Sequence, residues 1–311
     1  MLTLLFAAPA TWPDYREILP RVLADAGLGA RILTLDDAYD PAQVDYILYA
    51  PSSPLQDFTP FTRAKAVLSL WAGVERIVGN PTLTQPLCRM VDPELTEGMV
   101  EWVTGHTLRH HLGMDRHIVN PGHVWDHRCP PLARDRKVAF LGLGALGLAC
   151  AQALQQLNFT VSGWSRSEKQ VPGLVTRHGA QGLAETLALA EILVLLLPKT
   201  AETENILNAE SLALLPRGAV ILNPGRGPLI DDAALLAALD SGQIAHATLD
   251  VFRVEPLPQD HPFWAHPQVT VTPHIAADTR PASAARVLAE NIRRGEAGAP
   301  FLHLVDRAAG Y

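Results

Sequence analysis

A chain of 311 residues exceeds what one hydrophobic core usually organises, so two domains are expected. Hydrophobic residues make up 48% and charged residues 18%, which fits a folded chain and excludes long disorder. The net charge of -7 excludes the broad basic face that nucleic-acid binders turn toward phosphates, so no nucleic-acid partner is expected and any anion site is local.

Cys88, Cys129 and Cys150 are odd in number and lack C-x-x-C spacing, which supports neither a disulfide framework nor a cysteine zinc site and predicts a cytoplasmic location. The run Leu2 to Ala10 has no basic n-region and reads as a first strand rather than a secretory signal. No window is apolar for long enough to span a bilayer, so no membrane partner is expected.

In chain order, strands at Leu2 to Ala7, Ile32 to Leu35, Asp45 to Ala50 and Ala66 to Trp71 alternate with a helical pattern at Tyr15 to Ala26, as βαβ units do on a parallel sheet. No glycine-rich loop follows any of these strands, which makes this lobe the candidate substrate side. A helix is predicted from a Thr96 N-cap to about His111. The stretch Asn120 to Arg136, rich in Pro, Gly and His, breaks the pattern and is expected to cross between lobes. A second alternation has strands at Lys137 to Leu141, Phe159 to Trp164, Glu191 to Leu197, Ala219 to Asn223, Ala245 to Val251 and Val269 to Thr272. A helix from Arg280 to Arg294 then returns to the first lobe.

The first strand of the second lobe runs straight into Gly142-Leu143-Gly144-Ala145-Leu146-Gly147, a G-x-G-x-x-G followed by a helix from Leu148 to Leu157. Gly142 would make the tight turn, Gly144 would let backbone approach a pyrophosphate, and Gly147 would let helix and strand pack closely. About twenty residues on, Ser165-Arg166-Ser167 carries no acid for a ribose 2′-hydroxyl. A guanidinium flanked by hydroxyls suits a 2′-phosphate, so NADPH/NADP+ is the expected cofactor. The plainer alternative makes Arg166 and Lys169 a solvated pair in a turn.

Three segments each follow a strand of this lobe: Asn223-Pro224-Gly225-Arg226-Gly227, Asp250-Val251-Phe252-Arg253-Val254-Glu255-Pro256 and Thr272-Pro273-His274-Ile275. Ligands of open parallel sheets bind beyond the strand carboxyl ends, so Arg226, Glu255 and His274 are expected around one crevice. Arg226 could hold a carboxylate and polarise a keto oxygen, His274 could donate a proton, and Glu255 could orient its ring. Asp250 could accept from a nicotinamide carboxamide or make a local turn contact. His106, His110 and His111 lie on the interlobe helix, but no acid or Cys completes a site, so no metal is expected.

These segments, with Leu195-Leu196-Leu197-Pro198-Lys199-Thr200-Ala201-Glu202-Thr203 and the tail Val305-Asp306-Arg307-Ala308-Ala309-Gly310-Tyr311, resemble the D-isomer-specific 2-hydroxyacid dehydrogenase family over nearly the whole chain. The resemblance implies an α/β fold with a Rossmann dinucleotide-binding domain inserted in a flavodoxin-like substrate domain. The expected division is residues 1-97 plus 276-311 for substrate and residues 98-275 for NADP. It implies NADPH-dependent reduction of small 2-oxo acids, glyoxylate to glycolate and hydroxypyruvate to D-glycerate, by a homodimer. It also implies catalysis by Arg226, Glu255 and His274, and cofactor contacts from Pro198, Thr203 and Asp250. Trp71, Ala72 and Gly73 match the segment whose N–H groups meet the substrate carboxylate, although Trp71 replaces a small residue. Pro224-Gly225 departs from the family's usual Ala before the arginine. Trp125 resembles a position that reaches a partner subunit in some relatives, with a packed loop tryptophan as the simpler expectation. Reduction of bulkier 2-oxo acids, or NADPH sensing without turnover, are the competing functions.

Overall fold

The computed structural model describes residues 1–310; Tyr311, the end of the tail quoted for the resemblance, lies outside the described residues. The chain divides into two compact units, Met1–Leu95 with the residues from Thr279 on, and Thr96–Asp278.

In the first unit β1 (Leu2–Ala7), β2 (Ala30–Thr34), β3 (Tyr46–Tyr49), β4 (Ala66–Ser69) and β5 (Leu87–Cys88) form a parallel sheet in the order β2-β1-β3-β4-β5. This is the flavodoxin-like order. Both faces are covered, which is why the strands read as continuous apolar runs. Leu4, Phe6 and Leu68 pack on one side with Leu19 and Leu23 of the helix Ile18–Asp25 and Leu288 and Ile292 of the helix Pro281–Glu296. Leu5, Ile47 and Val67 pack on the other with Phe58, Ile77 and Val305. The helix expected from Tyr15 to Ala26 is two pieces, Trp12–Tyr15 and Ile18–Asp25.

In the second unit β6 (Lys137–Leu141), β7 (Thr160–Ser165), β8 (Val175–His178), β9 (Ile192–Leu195), β10 (Ala219–Asn223), β11 (Ile244–Leu249) and β12 (Val269–Val271) pair in parallel, in the order β12-β11-β10-β9-β6-β7-β8. The order reverses between β6 and β9, the switch point where a doubly wound sheet opens a crevice beyond its strand ends. Val138 and Phe140 are buried against Leu154 on one face, while Leu141, Leu193 and Ile221 are buried against Leu235 on the other. Burial of each such side chain stabilises by about 1.5–3 kcal/mol.

The unit boundary falls inside the helix Pro93–Leu112. This helix starts three residues before the expected Thr96 cap. Asp92 accepts the Glu94 N–H at 3.3 Å, and Pro93 takes the first helical position, where its missing N–H removes no bond. Among the described residues no helix is long and apolar enough to cross a membrane.

Candidate active site

β6 leads without a break into Gly142, and the helix Ala145–Gln156 begins on Gly144 as its N-cap, earlier than the expected Leu148. The unpaired N–H groups of the first helical turn, Ala145 and Leu146 included, therefore belong to the glycine loop itself. Gly142 has φ +106°, and a Cβ there would run into the Leu196 carbonyl; a Cβ on Gly147 would strike the carbonyl of Gly142. Gly144 is different, because no atom lies within 4 Å of where its Cβ would be. A tight turn, a close helix and an open backbone make a cradle that fits a dinucleotide pyrophosphate at a helix N-terminus.

At the end of β7 the Ser165 hydroxyl is buried and donates to the Ser167 carbonyl at 2.8 Å, shaping the turn that exposes Arg166 and Ser167. The Glu202 carboxyl is held below the usual carboxylate range by the Thr200 hydroxyl and its own N–H, and then by the charge of Arg166. An acid that Arg166 acts on thus sits in the loop after β9. In that loop the Thr203 hydroxyl donates to the Pro198 carbonyl at 2.7 Å and accepts the Thr200 N–H at 2.8 Å, closing Pro198–Thr203 into a ring.

Neighbouring strands β10, β11 and β12 each end in one of the three singular loops. Asn223, fully buried, accepts the Gly225 N–H at 3.1 Å and donates to the Arg226 carbonyl at 3.0 Å, while the Arg226 guanidinium donates to the Gly225 carbonyl at 2.7 Å. His274 Nδ1 lies 2.8 Å from one oxygen of Glu255, and the other oxygen accepts the Phe252 N–H at 2.9 Å. The hydrogen bond to Glu255 raises the His274 pKa against the opposing effect of burial, and the charges of Glu255 and Asp250 add to the rise. Burial pushes the Glu255 carboxyl up, but hydrogen bonds from His274 and the Phe252 N–H and the charges of His274 and Arg226 leave it below its ordinary value. His274 is half exposed, with Nε2 left free of the Glu255 bond.

The His274 backbone is left-handed, at φ +54°, a conformation that needs support in a non-glycine residue. Asp250 supplies it. Its main-chain carbonyl accepts the His274 N–H at 2.8 Å, and its buried carboxylate accepts the Thr272 hydroxyl and the N–H groups of Ile275 and Ala276, the last two at 2.9 Å. Asn223 and Thr272 were passed over in the sequence. The available signals were an Asn before Pro at a strand end, which favours an Asx turn, and a hydroxyl residue opposite an acid across β11 and β12.

Trp71, Ala72 and Gly73 lie in the first unit, in the loop after β4. The Ser69 hydroxyl accepts the Trp71 N–H at 3.1 Å and donates to its carbonyl at 3.0 Å, which fixes that backbone and leaves the indole 39% exposed. Of the interlobe histidines, His110 bonds the Thr248 hydroxyl at 2.9 Å, His111 packs edge-on to Phe159 and His106 packs on Trp102. Among the described residues no three His, Cys, Asp or Glu side chains gather as metal ligands. Trp125 is 93% exposed, so the expectation of a packed loop tryptophan is overturned: residues 121–124 and 127–132 around it are exposed as well.

Residues 106–276 match the family described as D-isomer specific 2-hydroxyacid dehydrogenase, NAD binding domain. The chain is 40% identical over 257 residues to glyoxylate/hydroxypyruvate reductase A of Salmonella heidelberg (strain SL476), covering 80% of this chain and 82% of that one. Among solved structures it is similar to a D-isomer specific 2-hydroxyacid dehydrogenase from Xanthobacter autotrophicus Py2 in complex with NADPH and MES, with 41% identity, TM-score 0.91, and coverage of 100% of this chain and 99% of that one. It is also similar to an NADPH-dependent glyoxylate/hydroxypyruvate reductase from Sinorhizobium meliloti in complex with NADP and sulfate, with 36% identity, TM-score 0.87 and 100% coverage of both. With more than half its length matched by the family and relatives at this identity, the chain belongs to the D-isomer specific 2-hydroxyacid dehydrogenases.

Proposed function

We propose that the protein uses NADPH to reduce small 2-oxo acids, glyoxylate to glycolate and hydroxypyruvate to D-glycerate. The observation that carries this reading is the His274–Glu255 pair, in which a carboxylate on Nδ1 favours the protonated ring and leaves Nε2 to act. NADPH, held at the glycine loop, would supply the hydride for the carbonyl carbon. His274 gives the Nε2 proton to the carbonyl oxygen as it becomes a hydroxyl, and Glu255 stabilises the charged ring before that transfer. Arg226, presented by the Asn223 turn, holds the substrate carboxylate and polarises the keto oxygen. Gly142, Gly144, Ala145, Leu146 and Gly147 cradle the pyrophosphate, and Arg166 with Ser165 and Ser167 forms the end that selects NADPH. Pro198, Thr203 and Asp250 would contact the cofactor, and Trp71, Ala72 and Gly73 would offer backbone to the substrate carboxylate. The similarity to reductases named for glyoxylate and hydroxypyruvate, and to structures holding NADPH or NADP, supports both substrate class and cofactor.

NADPH and NADH oxidation measured against glyoxylate, hydroxypyruvate and bulkier 2-oxo acids tests this directly. Turnover of the two small acids, abolished in His274→Ala, is expected. Preference for a bulky acid overturns the substrate, and absence of turnover with every acid leaves a cofactor-binding regulator.

The subunits are proposed to pair as a homodimer in the cytoplasm. Exposed Ile118, Val119, Val124, Trp125 and Leu132 crowd one stretch of chain, and three free thiols suit a reducing compartment. Light scattering at micromolar concentration tests the dimer.

A further inference from the structure

Arg253 lies in the loop after β11, two residues before Glu255, and its side chain is 30% exposed. It stands 3.7 Å from a Glu204 oxygen and 3.6 Å from an Asp232 oxygen, and His261 approaches the other Asp232 oxygen at 3.8 Å. Exposed ion pairs at such distances hold little by themselves. The guanidinium does more than pair, because one of its nitrogens donates to the Asn205 side-chain oxygen and to the Ile230 carbonyl. Asn205 belongs to the loop after β9 and Ile230 to the loop after β10, so one side chain joins three loops.

The loops after β9 and β10 are themselves laced together through backbone. The Asn205 N–H donates to the Pro228 carbonyl at 2.9 Å, the Leu207 N–H to the Leu229 carbonyl at 3.0 Å, and the Asp231 N–H to the Leu207 carbonyl at 2.8 Å. Gly227, next to Arg226, comes so near the loop after β11 that a Cβ on it would lie 2.0 Å from the Phe252 carbonyl carbon. That approach is a contact and not a bond. Arg253 adds a hydrogen-bonded link from the loop after β11 to the laced pair.

What the link holds still is the turn from Phe252 to Glu255. The Phe252 N–H donates to one Glu255 oxygen at 2.9 Å, and the other oxygen lies 2.8 Å from His274 Nδ1. A carboxylate that meets a ring from another loop at hydrogen-bond distance tolerates little drift of its own backbone. We infer that Arg253 is a positioning residue for the reaction: by tying its loop to Asn205 and Ile230 it keeps Glu255 on His274. The inference rests on the reading of His274 as proton donor.

The test reads the alkaline limb of kcat, where His274 loses its proton, in wild type, Arg253→Met, Arg253→Lys and Asn205→Gly, with melting temperatures alongside. The sign of the shift separates position from charge. Removing a cation by charge alone would make the ring easier to protonate and move the limb up, whereas a Glu255 that drifts from the ring moves it down. Arg253→Met is expected to move the limb down by about one pH unit, a roughly tenfold loss of rate beyond it. Arg253→Lys keeps the charge without the fork and should restore little. Asn205→Gly suits the left-handed backbone at φ +52° and removes only the far acceptor, so it should shift the limb the same way by less, and it decides the matter if Arg253→Met does not fold. A limb that stays or rises in Arg253→Met, even with a lower Tm, or a Lys variant equal to wild type, overturns the inference while the reading of His274 stands. A wild type without an alkaline limb, or a limb that survives in His274→Ala, overturns that reading.

Discussion

Glu255 and His274 meet across neighbouring loops at 2.8 Å, and their pKa values move in opposite directions, His274 up and Glu255 down. Reduction needs the protonated ring, so its rate should fall as pH rises through the His274 pKa, which the Glu255 hydrogen bond lifts above the ordinary histidine value. Glu255→Gln keeps the shape and removes the charge, which lowers the His274 pKa and moves the alkaline limb of kcat to lower pH. A pH profile with that limb unmoved would rule out Glu255 as the source of the rise.

Thr272 donates to the buried Asp250 carboxylate that also anchors the left-handed His274 loop. Thr272→Val leaves a buried carboxylate short of a donor, which is expected to destabilise by about 1–3 kcal/mol and to lower kcat more than it raises the KM for cofactor. Thr272→Ser should recover both. Melting curves and initial rates check this, and a Val variant equal to wild type in Tm and kcat contradicts it.

Arg166 is exposed at the turn after β7 and carries the cofactor choice in the proposed reading. Arg166→Asp places a carboxylate against a phosphate, so NADPH should weaken by a hundredfold or so, roughly two factors of 1.4 kcal/mol, with NADH little changed. Titration of each cofactor decides the matter, and parallel loss of both would mean the turn matters only for shape.

His110 and His246 lie ring to ring at 4.8 Å, each bonded through Nε2 to a threonine hydroxyl, Thr248 and Thr270. Burial holds His110 down at about 3, aided by the charges of His246, Arg109 and His106, and His246 at about 4, aided by those of Arg109, His106 and His266, with Asp115 opposing both. Both are neutral when folded. Their contribution to stability is therefore complete above the ordinary histidine value of about 6.5 and is lost as pH falls from there toward 4 and then 3. Tm should drop steeply over that window, and His246→Gln should flatten the drop; matching slopes would count against the pair as its cause.

The central parallel strands were legible because they are buried on both faces, as in Val-Ala-Phe-Leu of β6 and Ala-Val-Ile-Leu of β10. β5 was missed because two residues make no run, and β8 because Val-Thr-Arg-His is an edge strand with exposed ends. Arg226, Glu255 and His274 stood out as polar residues after apolar strands. Asn223 and Thr272 did not, because their significance lies in backbone partners or in a carboxylate distant in sequence, which no spacing rule reports. Trp125 was misjudged since aromaticity implies burial only where a neighbour exists to bury it.

β10, β11 and β12 carry Arg226, Glu255 and His274 on loops that start side by side. The strand ends from which these loops spring are spaced by the ~4.8 Å strand repeat, fixed by ladder hydrogen bonds. Heat cannot spread the three groups apart without first opening the sheet. Thermal inactivation and global unfolding should accordingly run on one curve, with no warmed state that is folded yet idle.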